Sequence, residues 1–336
     1  MIYLFELSKE HETLPYSEIV SCLKGENIKY NILESNENIL LLETSEDKKL
    51  KNIFSRLSLS FYIDSFLFSC STDIKDIKSS AQKTKISKKG TISIKCKNRS
   101  EKIRSQKIIK TLAEVLTENR EVDLSNPDIE IRAFITDSKV YVGIKLFEID
   151  RTQFEKRKVQ FRPFFSPISL HPKIARVLVN LSCIKKNEVL LDPFCGTGGI
   201  LIEAGLMGIH IVGSDIEDKM INGCKKTLDF YNIKNYKLFN TDIGKINQLI
   251  GGVDAVVTDF PYGKSTTTKG EKMHDLYDRA FKNISKVFKK NCRAVIGIPN
   301  EDLIPIGNEY MKFKEAHKLR AHRSLTRFFV IYEKQP

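Results

Sequence analysis

The sequence predicts an α/β protein made of a mixed α+β half followed by a half with a parallel sheet. Three observations support this: the length, the regular alternation of apolar strands and helical stretches after Leu170, and two strand-like segments at the end of the chain. A chain of 336 residues is too long for one ordinary hydrophobic core, so we expect at least two domains. Apolar residues make up 41% of the chain, which is enough for it to fold.

The first half combines short apolar runs with two predicted helices. Residues 1–70 contain the runs IYLFEL, ILLLE and FLFSC and a helix over residues 16–24, a mixture typical of a small α+β unit. In ISIKCK, apolar side chains alternate with Ser93, Lys95 and Lys97, which predicts a strand with one basic face. A helix over residues 105–116 and the strands IEIRAFIT and KVYVGIKL follow. The charged segment that starts at Arg151 is interpreted as a linker.

From residue 170 onward, apolar strands alternate with helices, as in a parallel α/β sheet. Strands are predicted at VLLD, HIVGSD, DAVVTD and AVIGIP, with a short one near Lys237. Helices are predicted over residues 199–207, 217–230 and 273–289 between them. The segments FKEAHKLRAH and SLTRFFVIYE predict a terminal hairpin on this sheet.

Positive charge is concentrated in one region, residues 73–110, which we call the basic stretch. It contains 13 Lys and Arg residues against three acidic ones, within a chain of formal net charge +13. Such a density favours a polyanionic partner, and nucleic acid is the first candidate. A solvated lysine-rich face is the alternative that composition leaves open. The candidate RNA-binding residues are Lys83, Lys85, Lys88, Lys89, Lys95, Lys97, Arg99 and Arg104.

Several classes of protein are disfavoured by what the sequence contains. The seven cysteines are scattered, without a CxxC pair or a His pair at metal-binding spacing, so we expect neither a metal site nor disulfides. No apolar run approaches the roughly 18 residues of a membrane span. The start, MIYLFELSKEHE, lacks a basic segment followed by an apolar one, and the protein is therefore expected to be soluble and cytoplasmic.

A glycine-rich turn follows the first strand of the second half, in LLDPFCGTGGI. Gly196 and Gly198 would let a ligand approach the backbone at the start of a helix. A dinucleotide motif would need glycine where Leu201 stands, and GK[ST] is missing, so a nicotinamide dehydrogenase and a phosphate loop are disfavoured. Asp192 at the strand end would repel a pyrophosphate and attract an amino group. This combination suits S-adenosylmethionine, which is cationic.

Two further acids end the next two strands of the predicted sheet. Asp215 lies nineteen residues beyond Gly196 and is placed to accept ribose hydroxyls. Asp242 could accept the adenine amino group, or it could simply cap a helix. Because ligands of open α/β sheets bind at the carboxyl edge, these acids predict a nucleoside cofactor there.

The segment TDFPYGKS ends the fourth strand. Its residues Asp259, Phe260, Pro261 and Tyr262 resemble the [DNS]-P-P-[YF] signature of methyltransferases that modify an exocyclic amino nitrogen. That resemblance implies that the Asp259 carboxylate and the Phe260 carbonyl accept the amino hydrogens and direct the nitrogen lone pair, while Tyr262 stacks on the extruded base. Phe260 replaces the usual proline, and we expect it to lend its carbonyl alone, with its ring packed away from the base.

The whole chain resembles the archaeal tRNA guanosine-10 N2-methyltransferases. That family implies a seven-stranded, Rossmann-like class I methyltransferase domain at 170–336, a THUMP RNA-binding domain at 71–150 and a ferredoxin-like segment at 1–70, with a linker at 151–169. It implies methyl transfer from S-adenosylmethionine to N2 of guanosine 10 in tRNA, giving mono- or dimethylguanosine. The stretch 165–171 corresponds to a region that folds over the cofactor. The segments that resemble the family are RPFFSPISLHPKIARVLVNL, LLDPFCGTGGILIEAGLMG, VGSDIEDKM, TDFPYGKS and VDLSNPDIEIR.

Two alternatives remain at this point: an N2-guanine or N6-adenine methyltransferase acting on another RNA such as ribosomal RNA, and a tRNA-binding protein that has lost catalysis. His171 and His274 are expected to be structural, because the methylated nitrogen loses its proton without a strong base. We expect a monomer.

Overall fold

The computed structural model describes residues 1–166, 169–262, 271–322 and 325–335. None of the helices in these ranges has the length and apolar character needed to cross a membrane. The same ranges contain no cluster of three or more His, Cys, Asp or Glu side chains arranged to hold a metal ion.

The chain forms two compact units, each built from more than one segment. Unit 1 comprises Met1–Lys9, Lys29–Asp47 and Ser60–Ile149. Unit 2 comprises Glu10–Ile28, Lys48–Leu59 and Asp150–Pro336.

The first 149 residues contain seven strands and four helices among the described positions. The strand order β2-β3-β1-β4-β7-β6-β5 describes one sheet in which the β5–β6 pair is parallel and the other pairs are antiparallel. The elements are β1 Ile2–Leu7, α1 Leu14–Gly25, β2 Asn31–Ser35, β3 Ile39–Glu43, α2 Asp47–Phe54, β4 Ser60–Ser71, α3 Ile74–Lys83, β5 Ile92–Asn98, α4 Ser105–Leu116, β6 Ile129–Ile135 and β7 Lys139–Glu148.

The first four strands follow the ferredoxin-like order, β2-β3-β1-β4, with α1 after β1 and α2 after β3. Pairing of β4 with β7 joins them to the three strands of the following segment. There, Ile77 of α3 and Leu112 of α4 pack against Ile129 and Ile131 of β6. Alternation along β6 thus gives one apolar face, while Glu130 and the next even position, Arg132, belong to the other.

The rest of the chain belongs to unit 2 and alternates strands with helices. Short 3₁₀ turns lie at Val159–Phe161, Ile243–Lys245 and Glu301–Leu303. The elements are α5 Thr152–Lys156, α6 Pro172–Leu181, β8 Val189–Asp192, α7 Gly199–Leu206, β9 His210–Asp215, α8 Asp218–Phe230, β10 Tyr236–Asn240, α9 Ile246–Leu249, β11 Val253–Asp259, α10 Met273–Val287, β12 Phe288–Ile298, α11 Ile304–Asn308, β13 Met311–His322 and β14 Leu325–Lys334.

The second sheet has seven strands within the described residues, in the order β10-β9-β8-β11-β12-β14-β13. The pairs from β10 to β12 are parallel, and β14 is antiparallel to both β12 and β13. The predicted class I methyltransferase topology with its terminal antiparallel hairpin is confirmed. The order of strands reverses at β8, so the carboxyl ends of β8, β9 and β11 are neighbours at one edge.

The central strands of the sheet of unit 2 are buried on both faces. Along β11, Ala255 and Val257 face a core that includes α6, α7 and α8, while Val256 faces a second core that includes α10. Strands enclosed in this way are apolar on both sides, which accounts for the continuous run of apolar residues over 255–257, AVV.

Three segments outside the predicted second half are also part of unit 2: Glu10–Ile28, Lys48–Leu59 and residues 150–169. Helix α1 contributes the buried Glu18, whose carboxylate accepts hydrogen bonds from Asn180 Nδ2 (2.8 Å), Leu59 N (2.9 Å) and Ser58 N (3.0 Å). The segment interpreted as a linker contains helix α5, and its Arg157 donates to both oxygens of the buried Glu203 at 2.7 and 3.0 Å. Buried charges are tolerated here because each has charged or hydrogen-bonding partners.

Candidate functional site

A cavity opens at the carboxyl edge of the second sheet, where the order of strands reverses. It is lined by Asp192 at the end of β8, Asp215 at the end of β9, Asp242 after β10 and Asp259 at the end of β11. The four acids predicted from strand ends are therefore brought together in one place. Ligands of open α/β sheets bind at this kind of crevice.

The two glycines of the turn have different surroundings. Gly196 has φ +50°, its amide donates to Asp215 Oδ2 at 3.0 Å, and a Cβ there would meet nothing within 4 Å. Gly198 has φ +84° and caps α7, but a Cβ there would come within 2.7 Å of Cys224 Sγ. Gly196 borders the cavity, whereas Gly198 is not among its lining residues. Room for a ligand thus lies at Gly196, and Gly198 is required by its backbone conformation and by the contact with α8.

Asp192 is the most deeply buried of the four acids, with 2% of its surface exposed. Its Oδ1 accepts a hydrogen bond from Phe194 N at 3.2 Å. Burial raises the pKa of Asp192 to about 7, because a desolvated carboxylate prefers to be protonated. A cation bound beside it would restore the ionised form.

Asp215 is held by the backbone on both sides. Gly196 N donates to one oxygen, and Glu217 N donates to the other at 2.9 Å. Burial raises the pKa of Asp215, against the effect of these two donors. Glu217 also lines the cavity, which gives this wall a second carboxylate.

Asp242 is paired with a cation from a neighbouring helix. Its Oδ1 accepts from Gly244 N at 2.7 Å and from Arg279 of α10, and Arg279 also binds Glu271 at 2.7 Å. Although burial acts to raise the pKa of Asp242, the hydrogen bond and charge of Arg279 prevail and lower it. Asp242 is thus an ionised acceptor, and it caps the 3₁₀ turn that follows it.

Asp259 is the centre of a cluster of three polar side chains. The Tyr262 hydroxyl donates to Asp259 Oδ1, and Arg327 Nη2 of β14 lies 3.3 Å from Oδ2. Arg327 Nε also donates to the Tyr262 hydroxyl at 2.9 Å. Burial raises the pKa of Asp259, while Arg327 and the Tyr262 hydroxyl oppose that rise. The carboxylate therefore has a counter-ion in a poorly solvated place.

Phe260 lies at the end of the same strand with its ring in the core. The ring is 1% exposed and contacts Phe194, Tyr277 and Phe281 at centroid distances of 5.1–5.2 Å. Phe260 N donates to Gly297 O at 2.9 Å, and the Tyr277 hydroxyl donates to Pro261 O at 2.7 Å. A proline at position 260 would remove the first of these bonds, so phenylalanine has a packing role here that proline could not fill. Residues 263–265 of TDFPYGKS lie outside the described residues.

A buried arginine lies behind the part of the cavity wall formed by Ser169 and Gly199. Arg162 is 5% exposed, and its Nη1 donates to Ser169 Oγ at 3.2 Å beside Gly199, the first residue of α7. Among the described residues its Nη2 has no hydrogen-bond partner. Ser169 lines the cavity, and residues 167–168 of the stretch expected to fold over a cofactor are not described. Positive charge from Arg162 and from the helix N-terminus adjoins this wall.

The two histidines singled out in the sequence do not line the cavity. His171 caps α6, where its Nδ1 accepts from Lys173 N at 3.2 Å and its Nε2 lies 3.2 Å from Glu155. Burial lowers the pKa of His171. His274 is largely exposed at the start of α10.

The basic stretch belongs to unit 1, and its eight candidate residues fall into two groups. Lys95 lies 2.7 Å from Glu130, Arg99 lies 3.8 Å from Glu6, and Lys88 donates to Asp128 O at 2.5 Å. The remaining candidates are exposed and form no ion pair with any described residue. They are Lys83, Lys85, Lys89, Lys97 and Arg104.

Five cavity-side residues were not identified from the sequence. The second acid of SDIED is the one signal that sequence could have offered for Glu217. Arg279 and Arg327 come from a helix and a strand remote in sequence, and only folding brings them to Asp242 and Asp259. Arg162 lies beside Ser169 and Gly199 at the cavity wall. The fifth, Glu271, follows the segment at 263–270 that the structure does not describe and pairs with Arg279.

The arrangement can bind a cationic nucleoside and position an amine. The acidic side chains at the strand ends suit an ammonium group and ribose hydroxyls, and the cation behind Ser169 suits a carboxylate. Asp259 and the main chain after it can accept hydrogens from an amino group at the same opening.

Family models match two parts of the chain. The model described as "RMKL-like, methyltransferase domain" matches residues 159–328, just over half of the chain, and a THUMP domain model matches residues 71–145.

Curated relatives and solved structures match over nearly the whole length. The tRNA (guanine(10)-N2)-dimethyltransferase of Methanothermobacter thermautotrophicus is 32% identical over 333 residues, with 98% of each chain covered. The protein of the same name from Methanocaldococcus jannaschii is 30% identical over 365 residues, covering 98% of this chain and 99% of the relative. The crystal structure of TrmN from Thermus thermophilus matches over 100% of both chains with a TM-score of 0.58 and 15% identity, which shows a shared fold.

Proposed function

Because the chain belongs to the family of archaeal tRNA (guanine(10)-N2)-dimethyltransferases, we infer that it transfers methyl groups from S-adenosylmethionine to N2 of guanosine 10 in tRNA. The observation that carries this inference is the identity of about one third over 98% of both chains, which includes both the methyltransferase and the THUMP parts.

The residues around the cavity fit S-adenosylmethionine. The open space at Gly196 admits a ligand against the backbone, and buried Asp192 is a partner for an ammonium group. Arg162, with its free Nη2 among the described residues, supplies positive charge toward the methionine carboxylate through Ser169. We assign the ribose hydroxyls to Asp215, with Glu217 as a second acceptor, and the adenine amino group to Asp242.

The cofactor supplies an electrophilic methyl group, and the protein has to present a poor nucleophile to it. The lone pair of an exocyclic guanine nitrogen is delocalised into the ring. When the Asp259 carboxylate and the Phe260 carbonyl accept the two amino hydrogens, the lone pair is turned toward the methyl group. Pro261 shapes the turn after Asp259, and its own carbonyl accepts a hydrogen bond from the Tyr277 hydroxyl. Tyr262 stacks on the base. The methylated nitrogen is positively charged and releases its proton readily, so neither histidine is required.

Two successive transfers are proposed, because the full-length relatives are named as dimethyltransferases. After the first transfer the nitrogen keeps one hydrogen, so Asp259 or the Phe260 carbonyl holds it alone. The second transfer is therefore expected to be slower than the first.

The THUMP part and the basic stretch are proposed to hold tRNA through its phosphates. With this role we propose four parts of the chain: a ferredoxin-like segment at 1–70, a THUMP domain at 71–150, a linker at 151–169 and a methyltransferase domain at 170–336. We also propose that the enzyme is monomeric. Its proposed location is the cytoplasm, where tRNA substrates are available.

The test is to incubate the protein with labelled S-adenosylmethionine and unmodified tRNA transcripts that carry either G or A at position 10. We expect label in N2-methyl- and N2,N2-dimethylguanosine from the first transcript alone. The proposal would be contradicted if the amount of label were the same with G or A at position 10, or if the label appeared in methyladenosine.

The same assay addresses the two alternatives. A ribosomal RNA methyltransferase would label ribosomal RNA fragments in preference to tRNA. A tRNA-binding protein without catalysis would bind the transcript and transfer nothing; the intact cluster of Asp259, Tyr262 and Asp192 argues against it.

A further inference from the structure

Arg327 lies next to the cavity and contacts two of its lining residues, Asp259 and Tyr262, but nothing so far assigns it a role. It lies on β14, the antiparallel strand, and is 7% exposed. Its guanidinium reaches Asp259 Oδ2 at 3.3 Å and the Tyr262 hydroxyl at 2.9 Å, and it lies over the Tyr262 ring at 5.3 Å from the centroid. One cation therefore contacts two of the residues proposed to handle the base.

The two oxygens of Asp259 have different partners. Oδ2 faces Arg327, while Oδ1 accepts from the Tyr262 hydroxyl. Since the Asp259 side chain is 18% exposed, it can be reached from the cavity. An amino group that arrives there can replace the hydroxyl at Oδ1 without disturbing the ion pair at Oδ2.

The neighbouring strand makes room for this orientation. Gly297 of β12 pairs with Asp259, and a Cβ at Gly297 would overlap Oδ1. The carboxylate thus lies against a bare backbone on one side and against a guanidinium on the other. Its orientation is determined by contacts from β12 and β14, not by its own strand.

We propose that Arg327 is a positioning residue for methyl transfer: it holds Asp259 through Oδ2 and so directs Oδ1 to the amino group of the substrate. The expected effect on methyl transfer rests on the proposed function, but the contact between Arg327 and Asp259 is present without substrate. When the base enters, the Tyr262 hydroxyl leaves Oδ1 and can stay bound to Arg327 Nε, which frees the ring to stack.

Charged or titratable groups from several elements surround Asp259. Tyr262 and Arg327 contact its carboxylate directly. Tyr277 of α10 and the like-charged Asp192 of β8 interact with it electrostatically. Arg327 is the cation among these described groups. Its removal should leave a poorly solvated carboxylate without a counter-ion, and that carboxylate would then take up a proton more readily.

The experiment compares Arg327→Met and Arg327→Lys with Arg293→Met. Arg293 is a matched control because it is also 7% exposed in the same sheet and ion-paired, with Glu333 at 3.2 Å. Unlike the partners of Arg327, its partners Glu333, Ser21 and Leu181 do not line the cavity. Thermal unfolding of each variant reports its fold. Transfer to tRNA is measured from pH 5.5 to 9 at saturating cofactor, and the Asp259 carboxyl is titrated by ¹³C NMR in aspartate-labelled protein, with Asp259→Asn for assignment.

We expect Arg327→Met to lower kcat about 100-fold at pH 7, by misplacing the acceptor, and to move the acid limb of kcat to higher pH. Arg327→Lys should recover about tenfold of that loss, because it keeps the charge and loses the two-point contact. Arg293→Met should leave the acid limb unchanged.

The NMR titration separates this proposal from the proposed function. A higher Asp259 midpoint in Arg327→Met, and not in Arg293→Met, supports the role of Arg327 even if the wild-type protein methylates another RNA. An unchanged midpoint in a folded Arg327→Met protein overturns it. Equal changes in Arg327→Met and Arg293→Met would also overturn it, because the effect would then be one of stability.

Discussion

The cavity of unit 2 and the basic stretch of unit 1 place their charges in opposite ways. In the cavity, Asp242 is paired with Arg279 and Asp259 with Arg327, each at a single defined position. In the basic stretch, cations such as Lys83 and Lys89 are exposed and pair with no described residue. Partnered charges act one at a time through geometry, whereas unpaired exposed charges act together through the field they produce. We therefore expect single substitutions in the cavity to have large effects on methyl transfer, and substitutions in the basic stretch to have small effects on tRNA binding that add up.

The largest effect is expected from Asp259→Ala. Loss of the carboxylate removes an acceptor for the amino group and should lower single-turnover methyl transfer by at least about 100- to 1,000-fold. Because the proposed phosphate contacts lie in the basic stretch, the Kd for tRNA should stay within about twofold in a filter-binding assay. A large loss of tRNA binding would mean that Asp259 is structural, and the comparison between the two regions would fail.

The reverse pattern is expected when the exposed cations of the basic stretch are replaced together. Changing all five of them to Gln should weaken tRNA binding about 10- to 100-fold at low salt. The slope of log binding constant against log salt concentration should become shallower by about 0.9 for each lost phosphate contact. The kcat at saturating tRNA should be unchanged. The positions are Lys83, Lys85, Lys89, Lys97 and Arg104.

The matched control removes the same number of exposed cations, all of them lysines, from the α8 region of unit 2. If that variant flattens the salt dependence equally, the basic stretch is an ordinary solvated face. The control positions are Lys219, Lys225, Lys226, Lys234 and Lys237.

A pH dependence of cofactor binding is expected from Asp192. Its pKa of about 7 lies above the ordinary value, so a fall in pH through this range protonates the carboxylate and removes the partner of the cofactor's ammonium group. The Kd for S-adenosylmethionine should rise by up to about tenfold per pH unit below pH 7. Calorimetry from pH 5.5 to 8 measures this, and Asp192→Asn should bind weakly with little dependence on pH. A wild-type Kd that is constant down to pH 6 would contradict the assignment.

A smaller effect is expected from Arg162→Met. If this arginine supplies charge through Ser169, its loss should weaken cofactor binding by about fivefold, the equivalent of about 1 kcal/mol. Ser169→Ala keeps the guanidinium and should cost less. An unchanged cofactor Kd in Arg162→Met would restrict Arg162 to a structural role.

The smallest effect on catalysis is expected at Phe260, since its proposed contribution is a main-chain carbonyl. Phe260→Pro should keep kcat within about twofold at low temperature but lower the free energy of unfolding by about 3 kcal/mol or more, because a ring is lost from the core together with the bond to Gly297 O. Phe260→Leu, which keeps the amide N–H, should be destabilised less. A large loss of kcat in a folded Phe260→Leu variant would show that the ring has a role in the reaction.

By itself the sequence determined the class of fold and the four acids of the cavity. Apolar strands alternating with helices specify a parallel sheet, and an acid at the end of each such strand reaches the same edge whatever the details of packing. The positive charge of the basic stretch could also be predicted, since it follows from the composition of that segment alone.

Only the tertiary structure decided what each acid is bound to and which segments pack together. Arg327 lies 68 positions after Asp259, and Glu18 of α1 meets Asn180 in unit 2; no local pattern connects such pairs. The same holds for the two glycines of the turn, which look alike in sequence and differ in whether Cys224 lies beside them. Periodicity records which face of an element is buried, but partners at long range are chosen by how the elements pack.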